Sequence, residues 1–278
     1  MEGISRKLAW ILRHRLRSID PDVSRRDGFV PLSSVLALTE FDGVDEAAIR
    51  QVVQQDTKQR YALLEDDGVL FLRANQGHSS SGVDDELLLQ RLDERTAFAL
   101  GGGSGLAVHG TASKRWPLIV ASGGLLRMTR NHVHMAPYLA SALRSRPTRP
   151  QAAGLRTNSE VLILVDVVGA IRAGIPMFYS QNGVVLTPGQ GEEGLLPVEH
   201  FHSAMESTGR MLWLHGERCA PITVDASTES YSENQPAASY LEEAIQARIS
   251  THFLPKLTAT TWQKCPSKQC PSSASVPP

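Results

Sequence analysis

The segment RMTRNHVHMAP (residues 127–137) contains side chains that could carry chemistry, since two arginines and two histidines stand within eleven residues that include no acid. His132 and His134 are two positions apart, so on a strand they would point to one face and could bind zinc together. The arginines instead favour an anion, because a guanidinium group forms paired hydrogen bonds with phosphate oxygens. The rest of the sequence has to decide between a metal and a polyanion.

The charge distribution around this segment favours the anion. No Asp or Glu occurs between Thr96 and Ser159, whereas the same stretch holds eight Lys and Arg residues. A divalent cation would be repelled there, even with His109 as a third ligand, so we predict no metal site. Each histidine has a plainer alternative as a hydrogen-bonded polar residue of the sheet. A second basic cluster runs from Arg6 to Arg17. Positive charge of this kind favours the binding of phosphates, and the alternative is a basic surface that only contacts solvent.

The composition is that of an ordinary globular protein. At 278 residues, with 41% hydrophobic and 21% charged residues, the chain favours two domains. No apolar run reaches the ~18 residues of a membrane span, and the start does not resemble a secretory signal. Three cysteines cannot form a disulfide framework. We therefore expect an intracellular protein in the cytoplasm or the nucleus, monomeric and without a membrane partner.

Hydrophobic periodicity predicts helices followed by a hairpin in the first part of the chain. Apolar residues at helical spacing predict an amphipathic helix over residues 4–17, with Arg6, Arg13 and Arg17 on nearly one face. Two shorter helices are expected after the Asp-Gly turn at 27–28 and over residues 45–56. YALLEDDGVLFLRA (61–74) predicts a β-hairpin. This order of elements is typical of a winged-helix module.

The later sequence predicts a second, sheet-rich domain. Residues 84–99 read as a helix, and the glycine-rich stretch 101–105 is a linker or loop where we place the boundary. Short strands such as LAVHG, HVHMA and EVLILVDV follow it. The predicted divisions are 1–100, 101–222 and a C-terminal extension, 223–278, that is partly helical and then disordered.

Three further motifs carry groups that suit a phosphate or a nucleotide. They are LRH (12–14), RANQGHS (73–79) and HGT (109–111). In HGT, the glycine would let a ligand approach the backbone, the threonine supplies a hydroxyl, and the histidine can bond to or stack on a ribose. The tripeptides are weak signals alone, whereas RANQGHS and RMTRNHVHMAP are too long to recur readily by chance.

From about Ser5 to Phe201 the chain resembles the RNA 2′-phosphotransferase family. The ordered matches are LRH, DGFVPL, KQRYAL, RANQGHS, VHGT, RMTRNHVHMAP, ILVDV and SQNGVVLT. The resemblance implies an α+β protein with an N-terminal winged-helix RNA lobe and a C-terminal ADP-ribosyltransferase-like β-rich lobe. It also implies that NAD binds as a co-substrate between the lobes, and we expect no metal, because the charge around the histidines is positive.

The resemblance also assigns roles to individual residues. Arg13, His14, Arg73 and Arg130 match the catalytic set of the family, whereas His109, Gly110, Thr111 and His134 match NAD-binding positions. Many ADP-ribosyltransferases have a glutamate on the strand that here reads QNGVVLT, without an acid. A phosphate is already an anionic nucleophile, and a carboxylate beside it would repel it. His78, Asn131, His132 and Lys58 stay open as candidates.

The implied reaction moves the splice-junction 2′-phosphate of tRNA, or of another RNA, to NAD. It passes through an RNA-2′-phospho-ADP-ribose intermediate and gives 2′-hydroxyl RNA, nicotinamide and ADP-ribose 1″,2″-cyclic phosphate. Two alternatives are an ADP-ribosyltransferase that caps terminal phosphates of nucleic acids, and a catalytically inactive winged-helix protein that binds nucleic acid.

Overall fold

The computed structural model describes residues 2–20, 25–79, 82–138, 153–155, 158–214 and 217–218. Within these ranges the α-helices are α1 (Glu2–His14), α2 (Leu16–Ile19), α3 (Leu32–Leu36), α4 (Glu46–Gln55), α5 (Asp85–Leu88), α6 (Glu94–Ala99), α7 (Trp116–Ala121) and α8 (Val167–Arg172). The first seven β-strands are β1 (Val30–Pro31), β2 (Tyr61–Asp66), β3 (Val69–Ala74), β4 (Gln90–Arg91), β5 (Leu106–Thr111), β6 (Gly124–Leu126) and β7 (Val133–Pro137). The others are β8 (Val161–Asp166), β9 (Phe178–Tyr179), β10 (Val185–Thr187), β11 (Leu195–Pro197), β12 (Phe201–Glu206), β13 (Met211–Leu214) and β14 (Glu217–Arg218). Helices combined with antiparallel sheets agree with the predicted α+β class.

The N-terminal elements pack α1–α4 against a three-stranded antiparallel sheet in the order β1-β3-β2. The hairpin predicted over residues 61–74 is confirmed. Its turn holds Asp67 and Gly68 at φ values of 48° and 74°, and a tight two-residue hairpin turn needs positive φ at both positions. Leu8, Ile11 and Leu12 bury one face of α1 in this core, as the apolar spacing predicted.

The predicted basic stripe on the first helix is wrong. α1 ends at His14, because Arg15 leaves the helical conformation with φ −128° and ψ 30°, and a new short helix, α2, follows. Arg6 and Arg17 are exposed, whereas the side chain of Arg13 lies against Gly77. The helix therefore does not present these three arginines as one surface.

The single helix predicted over residues 84–99 is also wrong. It is two short helices, α5 and α6, separated by β4, which pairs with β9. Two aspartates impose the separate starts, because Asp84 caps α5 through the backbone N–H of Glu86 and Asp93 forms a capping box with Thr96. The break brings Gln90 beside Tyr179 in the larger sheet.

The larger sheet contains nine described strands in the order β14-β13-β12-β8-β5-β7-β10-β9-β4. HGT forms the end of β5, where it pairs with β8, and the strand predicted at LAVHG is confirmed. The glycine-rich stretch runs from a short 3-10 helix, Leu100–Gly102, directly into this strand. The predicted C-terminal extension, residues 223–278, lies wholly outside the described residues.

Candidate functional site

Arg13 lies at the end of α1, and its side chain packs against the loop that follows β3. Gly77 in that loop has φ 91°, and a Cβ atom placed there would lie 3.1 Å from Nε of Arg13. Burial lowers the pKa of Arg13, Tyr61 partly offsets this shift, and the positive charge of Arg130 lowers the pKa further. Arginine stays protonated in proteins, so Arg13 keeps its positive charge although it is buried close to the guanidinium group of Arg130.

His14 lies next to Arg13 but stays largely exposed. Its Nδ1 is 2.8 Å from Oγ of Ser79. Partial burial lowers the pKa of His14, and the charges of Arg13 and Arg130 lower it further. Arg13, His14 and Arg130 are therefore close enough to act on one another electrostatically.

Arg73 is the penultimate residue of β3, and its guanidinium group is held by several contacts. Nη1 donates to the backbone oxygen of Asp27 over 3.1 Å, and Nη2 donates to Oε1 of Gln181 over 3.3 Å. The guanidinium carbon lies 4.5 Å from the ring centroid of Phe29, a cation–π contact. The carboxylate of Asp27 is itself paired with Arg25, at 3.0 Å. Burial is the main cause that lowers the pKa of Arg73.

His78, which the sequence left open, lies among these groups. Its side chain is 2% exposed, and burial followed by the charges of Arg13, His132 and Arg73 lowers its pKa to about 3. The ring is therefore neutral at physiological pH. Four buried nitrogens have no hydrogen-bond partner among the described residues, and three of them lie in this region, namely Nε2 of His78 and the Nε atoms of Arg13 and Arg73, whereas the fourth is Nε1 of Trp213. Buried polar atoms are nearly always paired in folded proteins, so the three nitrogens of this region suit a polar ligand.

The segment that carries Arg130 is fixed to the same region. Nη1 of Arg127 donates to the backbone oxygen of Arg130 over 3.3 Å, and Nη2 donates to that of Glu192 over 2.8 Å. The backbone N–H of Asn131 donates to the oxygen of His78 over 2.8 Å. RMTRNHVHMAP and RANQGHS, separate in sequence, are therefore joined at the backbone.

His132 and His134 both have protein partners. Nε2 of His132 is 2.8 Å from a carboxylate oxygen of Asp85. Nδ1 of His134 is 2.9 Å from the backbone oxygen of His132, and its Nε2 is 2.9 Å from the side-chain amide of Gln76. Burial first, and the charge of Arg130 next, lowers the pKa of His134 well below its usual value. The ring is therefore neutral and donates only one of its two hydrogen bonds.

No group of three or more His, Cys, Asp or Glu side chains in the described parts of the chain is arranged to hold a metal ion. The hydrogen bonds of His132 and His134 instead match the plainer alternative for these residues, polar groups satisfied within the protein.

The HGT motif faces β7 and a segment near Ser159. Nδ1 of His109 is 2.9 Å from the backbone oxygen of His134, which ties two of the predicted NAD-binding positions together. At Gly110 a Cβ atom would lie 2.1 Å from Oγ of Ser159, so glycine is required for the approach of that side chain. Thr111 is half-buried and pairs with Val161 in the sheet.

A cleft of about 390 Å³ opens beside Arg73. Its lining is Arg73, Leu88, Gln90, Tyr179, Ser180 and Gln181. The sequence did not single out Gln181 as a contact of Arg73. The SQNGVVLT motif was the only available signal, and it did not indicate a partner 108 positions away along the chain.

The fold and the site define a mixed helix-and-sheet protein in which several arginines lie close to a buried, neutral histidine. The model of the family described as RNA 2′-phosphotransferase, Tpt1/KptA, matches residues 1–189. The chain therefore belongs to the RNA 2′-phosphotransferase family, and the prediction of an enzyme of this class is confirmed.

Curated relatives agree with the family match. A mouse protein named tRNA 2′-phosphotransferase 1 is 38% identical over 219 residues, which is 77% of this chain and 82% of the relative. The human protein of the same name is 37% identical over 206 residues, 73% of this chain and 75% of the relative. A Schizosaccharomyces pombe relative is 32% identical over 208 residues, but the match covers only 52% of its length. Among the described residues, no helix is long and apolar enough to cross a membrane.

Proposed function

We propose that the protein transfers an internal 2′-phosphate of RNA, in particular of spliced tRNA, to NAD. The products would be 2′-hydroxyl RNA, nicotinamide and ADP-ribose 1″,2″-cyclic phosphate. Family membership and the names of the mouse and human relatives support the RNA substrate and the phosphate transfer. The observation that carries the proposal is the set of unpartnered buried nitrogens on Arg13, Arg73 and His78.

In this proposal the two parts of the chain divide the work. Residues 1–100 act as a winged-helix RNA lobe, which the order of helices, hairpin and three-stranded sheet supports. Residues 101–222 act as an ADP-ribosyltransferase-like lobe that binds NAD, which the β-rich element content supports. The hydrogen bond from Arg73 to Gln181 spans this division, so a ligand of Arg73 lies where both lobes can reach it.

The arginines hold the 2′-phosphate. Arg13 and Arg73 each keep an unpartnered Nε–H in a largely buried setting, where a charge-assisted hydrogen bond is stronger than in water. Arg130 adds a third positive charge, since it acts electrostatically on both Arg13 and His14. His78 can donate a hydrogen bond from Nε2 without adding charge, because its ring is neutral. Such groups stabilise charge on the equatorial oxygens during phosphoryl transfer.

His14 supplies the proton for the departing RNA 2′-oxygen. An alkoxide is a poor leaving group, and a positioned acid that titrates near neutrality contributes roughly 10² to 10⁴ in rate. The exposed ring of His14 stands beside Arg13, and Ser79 fixes its Nδ1, which leaves Nε2 free to face the substrate. His14 is the one titratable group of the proposed catalytic set, since arginine does not lose its proton in proteins.

NAD binding is assigned to His109, Gly110, Thr111 and His134. NAD, when bound, supplies an electrophilic ribose carbon to which the phosphate is transferred. The residues suit a nucleotide: Thr111 offers a half-exposed hydroxyl, and His109 is oriented by the backbone oxygen of His134. His134 is 9% exposed, so it either contacts NAD through the edge of its ring or orients His109.

The direct test is incubation with an RNA oligonucleotide that carries one internal 2′-phosphate, with and without NAD, followed by mass spectrometry. The proposal expects 2′-hydroxyl RNA and ADP-ribose cyclic phosphate only when NAD is present. ADP-ribose attached to a terminal phosphate, with no loss of the internal 2′-phosphate, would identify the capping enzyme instead. Binding without turnover would identify an inactive nucleic-acid-binding protein.

A further inference from the structure

Trp10 is an exposed aromatic side chain on the same helix as Arg13 and His14. It is 49% exposed, although large aromatic residues usually bury most of their surface. Trp10 and His14 are four positions apart on α1, so they lie on one helix face about one turn from each other. The indole is therefore a neighbour of the proposed acid and points to solvent on the same side.

The surroundings hold the indole in place without covering it. The guanidinium carbon of Arg15 lies 5.2 Å from the ring centroid, a cation–π contact. Arg15 is anchored in turn by Glu40, whose carboxylate is 3.3 Å from Nη1. Lys7 reaches the same residue, because its Nζ donates to the backbone oxygen of Glu40 over 2.8 Å. Trp10 is thus a fixed aromatic plane within a cationic surface.

An aromatic plane flanked by cations is the arrangement that binds single-stranded nucleic acid. Bases stack on the ring while Arg and Lys side chains meet the phosphates, and stacking tolerates any base because each has a π-face. Lys7 and Arg15 supply positive charge beside the ring, and both are held by contacts with Glu40. This surface is continuous with the groups proposed to hold the 2′-phosphate, through His14.

We infer that Trp10 is a stacking platform for a nucleobase of the RNA strand adjacent to the 2′-phosphorylated nucleotide. This inference rests on the proposed function, since it takes the 2′-phosphate to lie at Arg13 and His14. A base that stacks about one helical turn away would orient the strand and hold the 2′-phosphate against the arginines. The surface then recognises an unpaired strand without reading its sequence.

The test compares two oligonucleotides, both with one internal 2′-phosphate, in binding measurements without NAD. One has normal bases on either side of the modified nucleotide, and the other has abasic sites at those positions. For the first we expect Trp10→Ala to weaken binding about 5- to 150-fold, the range for losing one stacked base. For the abasic oligonucleotide the same substitution should change affinity less than about twofold. Trp10→Phe, which keeps an aromatic ring, should show a smaller loss.

The matched control is Phe98→Ala, because Phe98 is another exposed aromatic residue and lies on α6, a helix that carries none of the proposed site residues. Its substitution should change neither affinity. The inference is overturned if Trp10→Ala weakens the binding of both oligonucleotides equally or of neither.

Circular dichroism checks that Trp10→Ala folds. As a second, independent measurement, binding of RNA should quench indole fluorescence in the wild type but not in Trp10→Phe. Loss of the 2′-phosphate by the wild type in the presence of NAD is measured separately, so failure of the proposed function is distinguishable from failure of this inference.

Discussion

The side chain of Arg13 lies so close to Gly77 that a Cβ atom on residue 77 would come within 3.1 Å of its Nε, and within 3.2 Å of its Cδ. Gly77 also has φ 91°, which side chains rarely tolerate. The loop RANQGHS therefore shapes the position of a guanidinium group on a different element, α1. Gly77 therefore has two functions, since it allows the positive φ of the loop and leaves room for the side chain of Arg13.

Gly77→Ala should lower both stability and activity. The left-handed backbone costs roughly 1–3 kcal/mol in an alanine, and the methyl group displaces Arg13. A displacement near 1 Å can cost about 10²-fold in rate, so we expect a loss of at least roughly tenfold in kcat/KM for the 2′-phosphorylated RNA. Urea unfolding and steady-state assays measure the two effects.

Gly68→Ala is the matched control for this variant. Gly68 has φ 74°, but nothing lies within 4 Å of the position of its added Cβ atom, so only the backbone strain applies. We expect Gly68→Ala to lose stability and keep its kcat/KM. Equal kcat/KM in the two variants would show that the contact with Arg13 has no effect on the reaction.

Arg73→Ala and Arg130→Ala should impair loss of the 2′-phosphate more than release of nicotinamide. Arginine that stabilises the phosphoryl-transfer transition state contributes about 10³ to 10⁵ in rate, whereas the earlier attack on the ribose depends more on positioning. Single-turnover assays can follow the two products separately. As a control, Arg172→Ala removes an exposed arginine paired with Glu94 and should leave both rates unchanged.

These roles for Arg73 and Arg130 have a clear point of failure. Single-turnover loss of the 2′-phosphate near the wild-type rate in either variant would remove that residue from the proposed set. A variant that loses nicotinamide release and phosphate loss in equal measure would instead indicate a role in binding the RNA.

His78 should make the protein less stable as the pH falls from 6.5 towards 3. Its pKa is about 3 in the folded protein against 6.5 as the ordinary value. Between these values the unfolded chain takes up a proton that the folded protein does not, so acid favours unfolding by about 1.4 kcal/mol per pH unit. His78→Gln should remove roughly 2–3 kcal/mol of the difference in unfolding free energy between pH 6.5 and about 4.5.

Urea unfolding of both proteins at the two pH values measures this contribution. His134 and the carboxylates remain in the variant, so only the difference between wild type and variant reports on His78. If both proteins lost the same stability on acidification, the ring of His78 would not be held neutral among the arginines.

Because of His14, kcat/KM should fall as the pH rises through a pKa below 6.5, which gives the pH profile a descending alkaline limb. Burial and the charges of Arg13 and Arg130 lower the pKa of His14, so the protonated form declines as the pH rises through that lowered value. The pH dependence of kcat/KM reports groups of the free enzyme and the free substrate. His14→Ala should remove this limb while any contribution of the phosphate itself remains. A limb that survives in His14→Ala would belong to another group.

Short sequence patterns correctly predicted those elements whose structure depends only on neighbouring residues. The turn at Asp67 and Gly68 and the apolar face of α1 follow from short-range signals, and both were predicted correctly. Prediction failed where one residue overrides a periodic pattern. Arg15 ends α1 by its backbone conformation, and Asp93 starts a new helix by capping it, although the hydrophobic spacing continues past both.

The candidate site depends on contacts between residues far apart in sequence, which periodicity does not report. The motifs identified Arg73 and His132, but not their partners Gln181 and Asp85, which lie 108 and 47 positions away. His78 stayed undecided from sequence, because its motif gives no indication that the ring is buried between cations. Its burial is a property of how RANQGHS packs against α1 and against the segment of Arg130.

The most direct test of the central proposal is the affinity for two RNA oligonucleotides that differ only at one internal position, a 2′-phosphate or a 2′-hydroxyl, measured without NAD. Three arginines and a neutral histidine converging on the phosphate should make the 2′-phosphorylated oligonucleotide bind at least roughly tenfold more tightly, since a charge-assisted hydrogen bond is worth about 1.5–3 kcal/mol. Arg13→Ala should remove most of that difference in affinity. Equal affinity of the wild type for the two oligonucleotides would contradict the proposal.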